Sequence, residues 1–201
     1  DIGVTSVSTA NLLGSTTSGK VTADIDTSET VIELANLNAD GGTNDLTIVI
    51  RGDDATSATA TQLNTINAAT AVAVNLTNVT ALAADTLSAL STFATAVSNS
   101  EFSNGTGLTT VAVNDATFTA AQSLTLTQTI DTLDTINVGA TTGMTLAVGA
   151  TLTATSAVID ELLSDESGSR LTLDTQHITA SEAITVDQAN ALGATTTGKI
   201  T

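Results

Sequence analysis

Residues 4–22 read VTSVSTANLLGSTTSGKVT, and residues 183–201 read AITVDQANALGATTTGKIT. Aligned without a gap, ten of the nineteen positions are identical: Val7/Val186, Ala10/Ala189, Asn11/Asn190, Leu13/Leu192, Gly14/Gly193, Thr16/Thr195, Thr17/Thr196, Gly19/Gly198, Lys20/Lys199 and Thr22/Thr201. Two of the four basic residues fall at matched positions. Biased composition alone does not produce the shared ANxLG and TTxGK elements. The chain therefore reads as one long unit, residues 1–179, followed by the start of the next copy, residues 180–201. Repetition at a fixed period is the mark of units that bury their apolar faces only against one another.

A shorter, looser period lies inside. VNLTNVTALAADTLSAL from Val74, VNDATFTAAQSLTL from Val113, VGATLTATSAVIDELL from Val148 and TQHITASEAITVDQANAL from Thr175 resemble one another. Each has a short β-branched run, then a Thr-Ala step, then Ala and Leu three or four positions apart. Phe118, Leu152 and Ile178 fall in equivalent places, and Val79 precedes them as a fourth. These periods predict a mainly β fold, an elongated β-solenoid-like stack of irregular coils of roughly 26–39 residues, with some short helices. The strand candidates are LTIVI (46–50), VAVN (111–114), MTLAV (144–148) and RLTLD (170–174), rich in the residues that suit a pleated surface. The strongest helical spacing is in residues 81–97. Thr179 and Glu182 are placed as a reciprocal cap. The predicted core comprises Val7, Leu13, Val111, Val113, Phe118, Leu146, Leu152, Ile178, Val186 and Leu192.

Composition narrows the partners. The 201 residues include 21 acids against four bases, Lys20, Arg51, Arg170 and Lys199, for a net charge of −17. Phosphate binding needs clustered Lys and Arg, so nucleic acid is excluded as a partner. No apolar run reaches the roughly 18–20 residues that span a bilayer, so no membrane insertion is expected. Trp, Tyr, Cys and Pro are absent, and the aromatics are three Phe. Such a chain suits a narrow core of medium aliphatics, because aromatics are the usual fillers of wide ones.

The motif ITVDQANALGATTTGKIT (184–201), with its copy at 5–22, resembles repeats of very large secreted bacterial proteins. These include giant cyanobacterial-type cell-surface proteins and the extender regions of adhesins exported by type I secretion. The resemblance implies an extracellular position at the cell surface, a repetitive fibre and no catalysis. It carries no site residues over. The calcium-binding nonapeptides of that class are poorly matched by GGTNDLTI (41–48), which is one position short before its Asp. The expected function is a structural module of an extracellular bacterial fibre, filament or layer, and not an enzyme. Its partners would be neighbouring copies of itself, in tandem or head to tail. The alternative is an adhesive module that binds a glycan, a surface or ice through a Thr-rich or calcium-bearing face.

No cofactor is required on this reading, and calcium is the ion that the acids suit. Asp24 and Asp26 alternate, so a strand would put both on one face. Asp53 and Asp54 are the second pair expected to ligate a metal; Asp160/Glu161 and Asp165/Glu166 are further acidic pairs. His177 is the single histidine, and no G-x-S-x-G element accompanies it. Zinc needs several His or Cys ligands. Arg51, Gly52 and Asp53 spell an integrin-type tripeptide. Thr pairs at 117/119, 125/127 and 151/153 would line up hydroxyls if they lay on strands. Gly19-Lys20 and Gly198-Lys199 lack the Ser or Thr that a phosphate loop needs next, and their repetition points to a turn.

Overall fold

A computed structural model of the chain describes residues 3–38, 44–136 and 142–201. Among these the elements run β1 (Val4–Thr5), α1 (Val7–Thr16), β2 (Thr22–Ile25), α2 (Val31–Leu34), β3 (Asp45–Thr47), α3 (Ala60–Ala68), β4 (Val74–Asn75), β5 (Ala81–Asp85), α4 (Leu87–Ser98), β6 (Phe102–Ser103), β7 (Thr110–Val113), β8 (Thr117–Phe118), α5 (Ala120–Ile136), β9 (Gly143–Leu146), β10 (Thr151–Ala154), α6 (Ser156–Ser167), β11 (Leu171–Thr172), β12 (His177–Ala180) and α7 (Val186–Thr195). A 3-10 turn at Gly52–Asp54 lies between β3 and α3. The first three positions of the GGTNDLTI segment, Gly41, Gly42 and Thr43, lie outside the described residues.

The fold is α/β, with 40% helix and 21% strand in several short parallel sheets. This overturns the expectation of a mainly β, elongated β-solenoid-like stack. The reason lies in threonine. Thr is a strand former by propensity, but here it starts helices and is tolerated inside them. Ser6, Thr30, Thr59, Thr155 and Thr185 are N-caps whose hydroxyls accept the N–H three positions on. That bond satisfies an amide the helix cannot. Inside α5, Thr125 donates to the Ala121 carbonyl at 3.0 Å, Thr129 to Thr125 at 2.8 Å and Thr132 to Gln128 at 2.9 Å. The hydroxyls are thus satisfied by the helix's own backbone.

Two further expectations change for local reasons. Residues 81–97 divide into strand β5 and helix α4, with Thr86 accepting the Ala89 N–H at 3.2 Å at the junction. Thr179 caps nothing: it sits in β12, in register with Thr153 of β10. After Ala154 the cap Thr155 follows at once. After Ala180 four residues intervene, and the cap is Thr185 with Gln188 as its reciprocal partner.

The chain divides into two compact units, Asp1–Ala83 with Thr92–Leu108, and Ala84–Ser91 with Thr109–Thr201. The first holds the parallel sheet β1-β2-β3 and the pair β4-β6. Its two phenylalanines, Phe93 and Phe102, pack with ring centroids 4.9 Å apart. The second holds the parallel ladders β8-β10-β12 and β7-β9-β11. In the first of these, Leu152 is the Cα partner of both Phe118 and Ile178. The spacing of these three residues along the sequence is therefore strand register. Val79, buried in the first unit, belongs to no strand.

Burial follows the alternation of the strands. Val111, Val113, Phe118, Leu146, Leu152 and Ile178 are buried, as are Val7 and Leu192 on helices. Leu13 is half-buried. Val186, expected in the core, is 75% exposed, although its match Val7 is 6% exposed. Both are the first residue of a capped helix. Val7 is covered by the segment that follows it, whereas α7 packs on α6, which precedes it. Leu13 and Leu192 show the converse, because Leu192 is 0% exposed. Of the Thr pairs, 151/153 lies on β10; Thr117 is on β8, with Thr119 capping α5, and 125/127 is helical. Among the described residues no helix is long and apolar enough to cross a membrane.

Candidate functional site

The recurring chemical feature is a carboxylate that reaches back to the start of an earlier helix. The N–H of Val7, first residue of α1, donates to Glu29 Oε1 at 3.0 Å. The N–H of Val31, first of α2, donates to Asp54 Oδ2 at 2.9 Å. The N–H of Leu87, first of α4, donates to Asp115 Oδ2 at 2.6 Å. The N–H of Ser156, first of α6, donates to Glu182 Oε1 at 2.8 Å. The separations are 22, 23, 28 and 26 residues, about one strand–helix segment in each case. The Ser or Thr cap satisfies the third amide of the helix and the carboxylate satisfies the first. The bond is charge-assisted and places an anion where helix amides converge. Sequence reasoning missed Glu29 and Asp115 as partners of helix amides and gave Glu182 to the wrong one, a cap with Thr179 in place of the Ser156 N–H. The available signal was an acid that recurs one strand–helix segment downstream of the first residue of a Ser/Thr-capped helix.

The four acids expected to ligate calcium are placed separately. Asp24 lies on β2, exposed, in register with Val4 and Thr47. Asp26 turns onto its own loop: its Oδ1 accepts the Ser28 N–H at 2.9 Å, and that bond holds its carboxyl below the ordinary carboxylate range. Asp53 pairs with the Arg51 guanidinium. Asp54 is the cap of α2, and Arg51 Nε stands 3.8 Å from it. Among the described residues no three His, Cys, Asp or Glu side chains are grouped to hold a metal. The Arg51-Gly52-Asp53 tripeptide is closed on itself by the same ion pair, and Arg51 Nη1 also donates to the Ser28 carbonyl at 3.0 Å.

His177, half-buried on β12, accepts the Lys199 N–H on Nδ1 at 2.7 Å. This fixes the tautomer that leaves Nδ1 unprotonated. No carboxylate bonds its ring among the described residues. Asp165, from the acidic pairs, is 1% exposed. Burial pushes its carboxyl up to about 6, although Arg170 Nη2 stands 2.5 Å away and opposes the rise. Arg170 Nη1 also donates to Asp131 at 2.8 Å and stands 3.9 Å from Asp134. The cluster ties α5 and α6 to the start of β11. Asp160 Oδ1 accepts from Gln188 Nε2 at 2.7 Å and so joins α6 to α7.

Other features among the described residues could meet a ligand. On the outer face of β8-β10-β12, Thr151 is in register with Thr117, and Thr153 with Thr179, whose hydroxyl lies 3.1 Å from that of Thr201. In the first unit, two shallow clefts of about 420 and 470 Å³ share Asn67, Ala68, Asn99 and Glu101. Glu101 is held there by the Asn67 and Asn99 side-chain amides at 2.5 and 3.2 Å, so its oxygens serve the fold. Compared with models of protein families, with curated proteins and with solved structures, the chain has no match.

Proposed function

We propose that this chain is a structural module of an extracellular bacterial surface fibre, filament or layer, without catalytic activity, and that its partners are further copies of the same sequence. The observation that carries the reading is the backward-reaching carboxylate. Four acids that could have formed a reactive or metal-binding group are engaged instead in fastening the starts of α1, α2, α4 and α6 to the segment after each. The matched ends, residues 4–22 and 183–201, add a second support, since the chain contains the beginning of its own repetition. The resemblance of residues 184–201 to repeats of giant secreted surface proteins supplies the location. Immunogold electron microscopy on intact source cells, with antibodies to this chain, tests it. Label along external fibres or a surface layer is the expected result. Label confined to the cell interior would refute it.

The Thr row on β8-β10-β12 favours one second reading, an adhesive face for a glycan or for ice. Hydroxyls in strand register repeat at a regular spacing, as a periodic ligand would require. Replacing Thr151, Thr153 and Thr179 together by Val would abolish binding in a glycan or ice-recrystallisation assay if that face is the adhesive one. Undiminished binding would discard it.

A further inference from the structure

We propose that the face formed by residues 183–201 is a docking site for an acidic strand–turn–helix segment with the sequence of residues 23–50, whose carboxylate caps α7. The inference rests on the reading of the chain as a repeat module. Its ground is a comparison within the molecule, because residues 4–22 are a second copy of the same surface with its occupant in place.

In that copy, the described residues of this segment, 23–38 and 44–50, contact six groups. The Val7 N–H donates to Glu29 Oε1 at 3.0 Å. Asn11 Nδ2 donates to the Asn36 carbonyl at 2.8 Å, and Asn11 Oδ1 accepts the Asn38 N–H at 2.8 Å. The Val21 N–H donates to Asn44 Oδ1 at 3.0 Å, and the Val21 carbonyl accepts the Asp45 N–H at 2.9 Å. Lys20 pairs with Asp45. The counterparts are Val186, Asn190, Ile200 and Lys199. Each keeps its chemistry, and among the described residues none makes the corresponding bond. Val186 is 75% exposed where Val7 is 6% exposed, and Asn190 is fully on the surface.

The strand edge is also ready. Ile200 bridges Ile178 in parallel and so continues the ladder β8-β10-β12 by one strand. Its outer side presents an N–H and a carbonyl that bond to nothing among the described residues, a template for one more parallel strand. In the first copy that next strand is β3. The occupant's chemistry follows from the groups that wait for it. A carboxylate is needed seven positions past the equivalent of Thr22 to reach the α7 amide, a backbone carbonyl and N–H to clasp Asn190, and an Asp to meet Lys199. Residues 23–50 carry all of these, as Glu29, Asn36, Asn38 and Asp45. The protein's net negative charge opposes an acidic occupant, yet the local groups that receive it are a helix N-terminus and a lysine.

The test compares three proteins by amide hydrogen exchange: the 201-residue chain, the same chain lengthened after Thr201 by a copy of residues 23–50, and the lengthened chain with Gln at its copy of Glu29. The expected result is that lengthening slows exchange at Val186 and Ile200 by about tenfold or more, the effect of one charge-assisted hydrogen bond or better. The Gln version should lose much of the slowing at Val186 and keep it at Ile200. Asn190→Ala should lower the melting temperature of the lengthened chain and leave that of the unlengthened chain unchanged. Equal exchange at both amides in the lengthened and unlengthened chains would overturn the proposal. So would protection that appears in the unlengthened chain as its concentration rises, since the occupant would then be a second whole copy. Neither outcome depends on where the protein resides, so the localisation experiment above succeeds or fails separately.

Discussion

Asp54 separates the two uses to which this chain could put its acids. As a calcium ligand it would stabilise the fold only with the ion present. As the cap of α2 it acts always. The residue is 9% exposed, and its Oδ2 accepts the N–H of Val31, itself 2% exposed. Asp54→Ala removes an acceptor that bears charge and leaves a buried N–H without a partner. A hydrogen bond to a charged group contributes about 1.5–3 kcal/mol, and an orphaned buried donor costs a similar amount. Arg51 keeps Asp53 as its partner, so no second penalty is added. The expected loss is about 2 kcal/mol, or a fall in melting temperature of about 4–8 °C for a chain of this size. Asp54→Asn retains an oxygen but loses the charge and should cost about half as much. Urea denaturation followed by circular dichroism measures both. Hydrogen exchange at Val31 localises the effect. The losses should be the same in EDTA and in millimolar calcium. If Asp54→Ala unfolds with the parent in EDTA and falls behind only when calcium is added, the cap is the wrong explanation.

Leu152 is 0% exposed between Phe118 and Ile178, and Leu152→Ala should cost about 2–5 kcal/mol in urea denaturation, the range for a buried cavity of that size; a change below about 1 kcal/mol would mean that the ladder is not a packed core. Asp165 gives a pH signature. Its native carboxyl is raised from 3.8 to about 6, so the native state holds its proton more tightly than the unfolded chain. Stability from this group is therefore greatest below about pH 4 and declines as pH rises through about 6, by at most about 3 kcal/mol. Asp165→Asn should remove that decline: the difference in unfolding free energy, variant minus parent, should rise between about pH 4 and 7, and a flat difference would refute the assignment. Gly198 and Gly19 are matched in sequence but not in surroundings. A Cβ at Gly198 would lie 1.9 Å from the Gln176 carbonyl oxygen, whereas one at Gly19 would meet only the Thr17 hydroxyl at 3.4 Å. Gly198→Ala should release residues 196–201 from β12, seen as fast exchange at Thr201, and Gly19→Ala should be tolerated; equal effects would contradict the placement.

The equivalence of three strand positions was legible because register is a matter of spacing. Phe118, Leu152 and Ile178 share a β-branched and Thr-rich context, and parallel pairing turned their spacing into contact. The balance of helix to strand was not legible from the same residues. Thr scores as a strand former, yet in α5 its hydroxyl is satisfied by the carbonyl four positions back. The exposure of Val186 could not be read either. Helical position alone makes it the twin of Val7, and the difference lies in which segment packs against each helix. The acidic pairs misled for a related reason. Adjacent acids such as Asp53 and Asp54 look like a metal site, but in this turn both flank the Arg51 guanidinium and Asp54 is taken up by the Val31 N–H. The acids that cap lie a whole segment downstream of the helices they serve, and adjacency in sequence does not show which acid of a pair does so.

This distribution of acids explains how a chain with a net charge of −17 can be compact. Long-range repulsion among 21 acids disfavours the folded state, but it acts across solvent and falls within a Debye length of about 10 Å at 0.1 M salt. The bonds from Glu29, Asp54, Asp115 and Glu182 act at 2.6–3.0 Å, and salt screens far less those made to the part-buried and buried amides of Val7, Val31 and Leu87. Few lysines or arginines are then required, because backbone N–H groups take the place of cations. The direction of the bonds matters as well. In all four cases the later residue serves the earlier helix, so each of these four helices is completed by what comes after it. A lysine or arginine in place of these carboxylates would reverse the sign at the helix start and could not serve. The acidity of the chain is thus in part a consequence of its architecture: each capped helix whose first amide must be satisfied by the following segment calls for one more carboxylate.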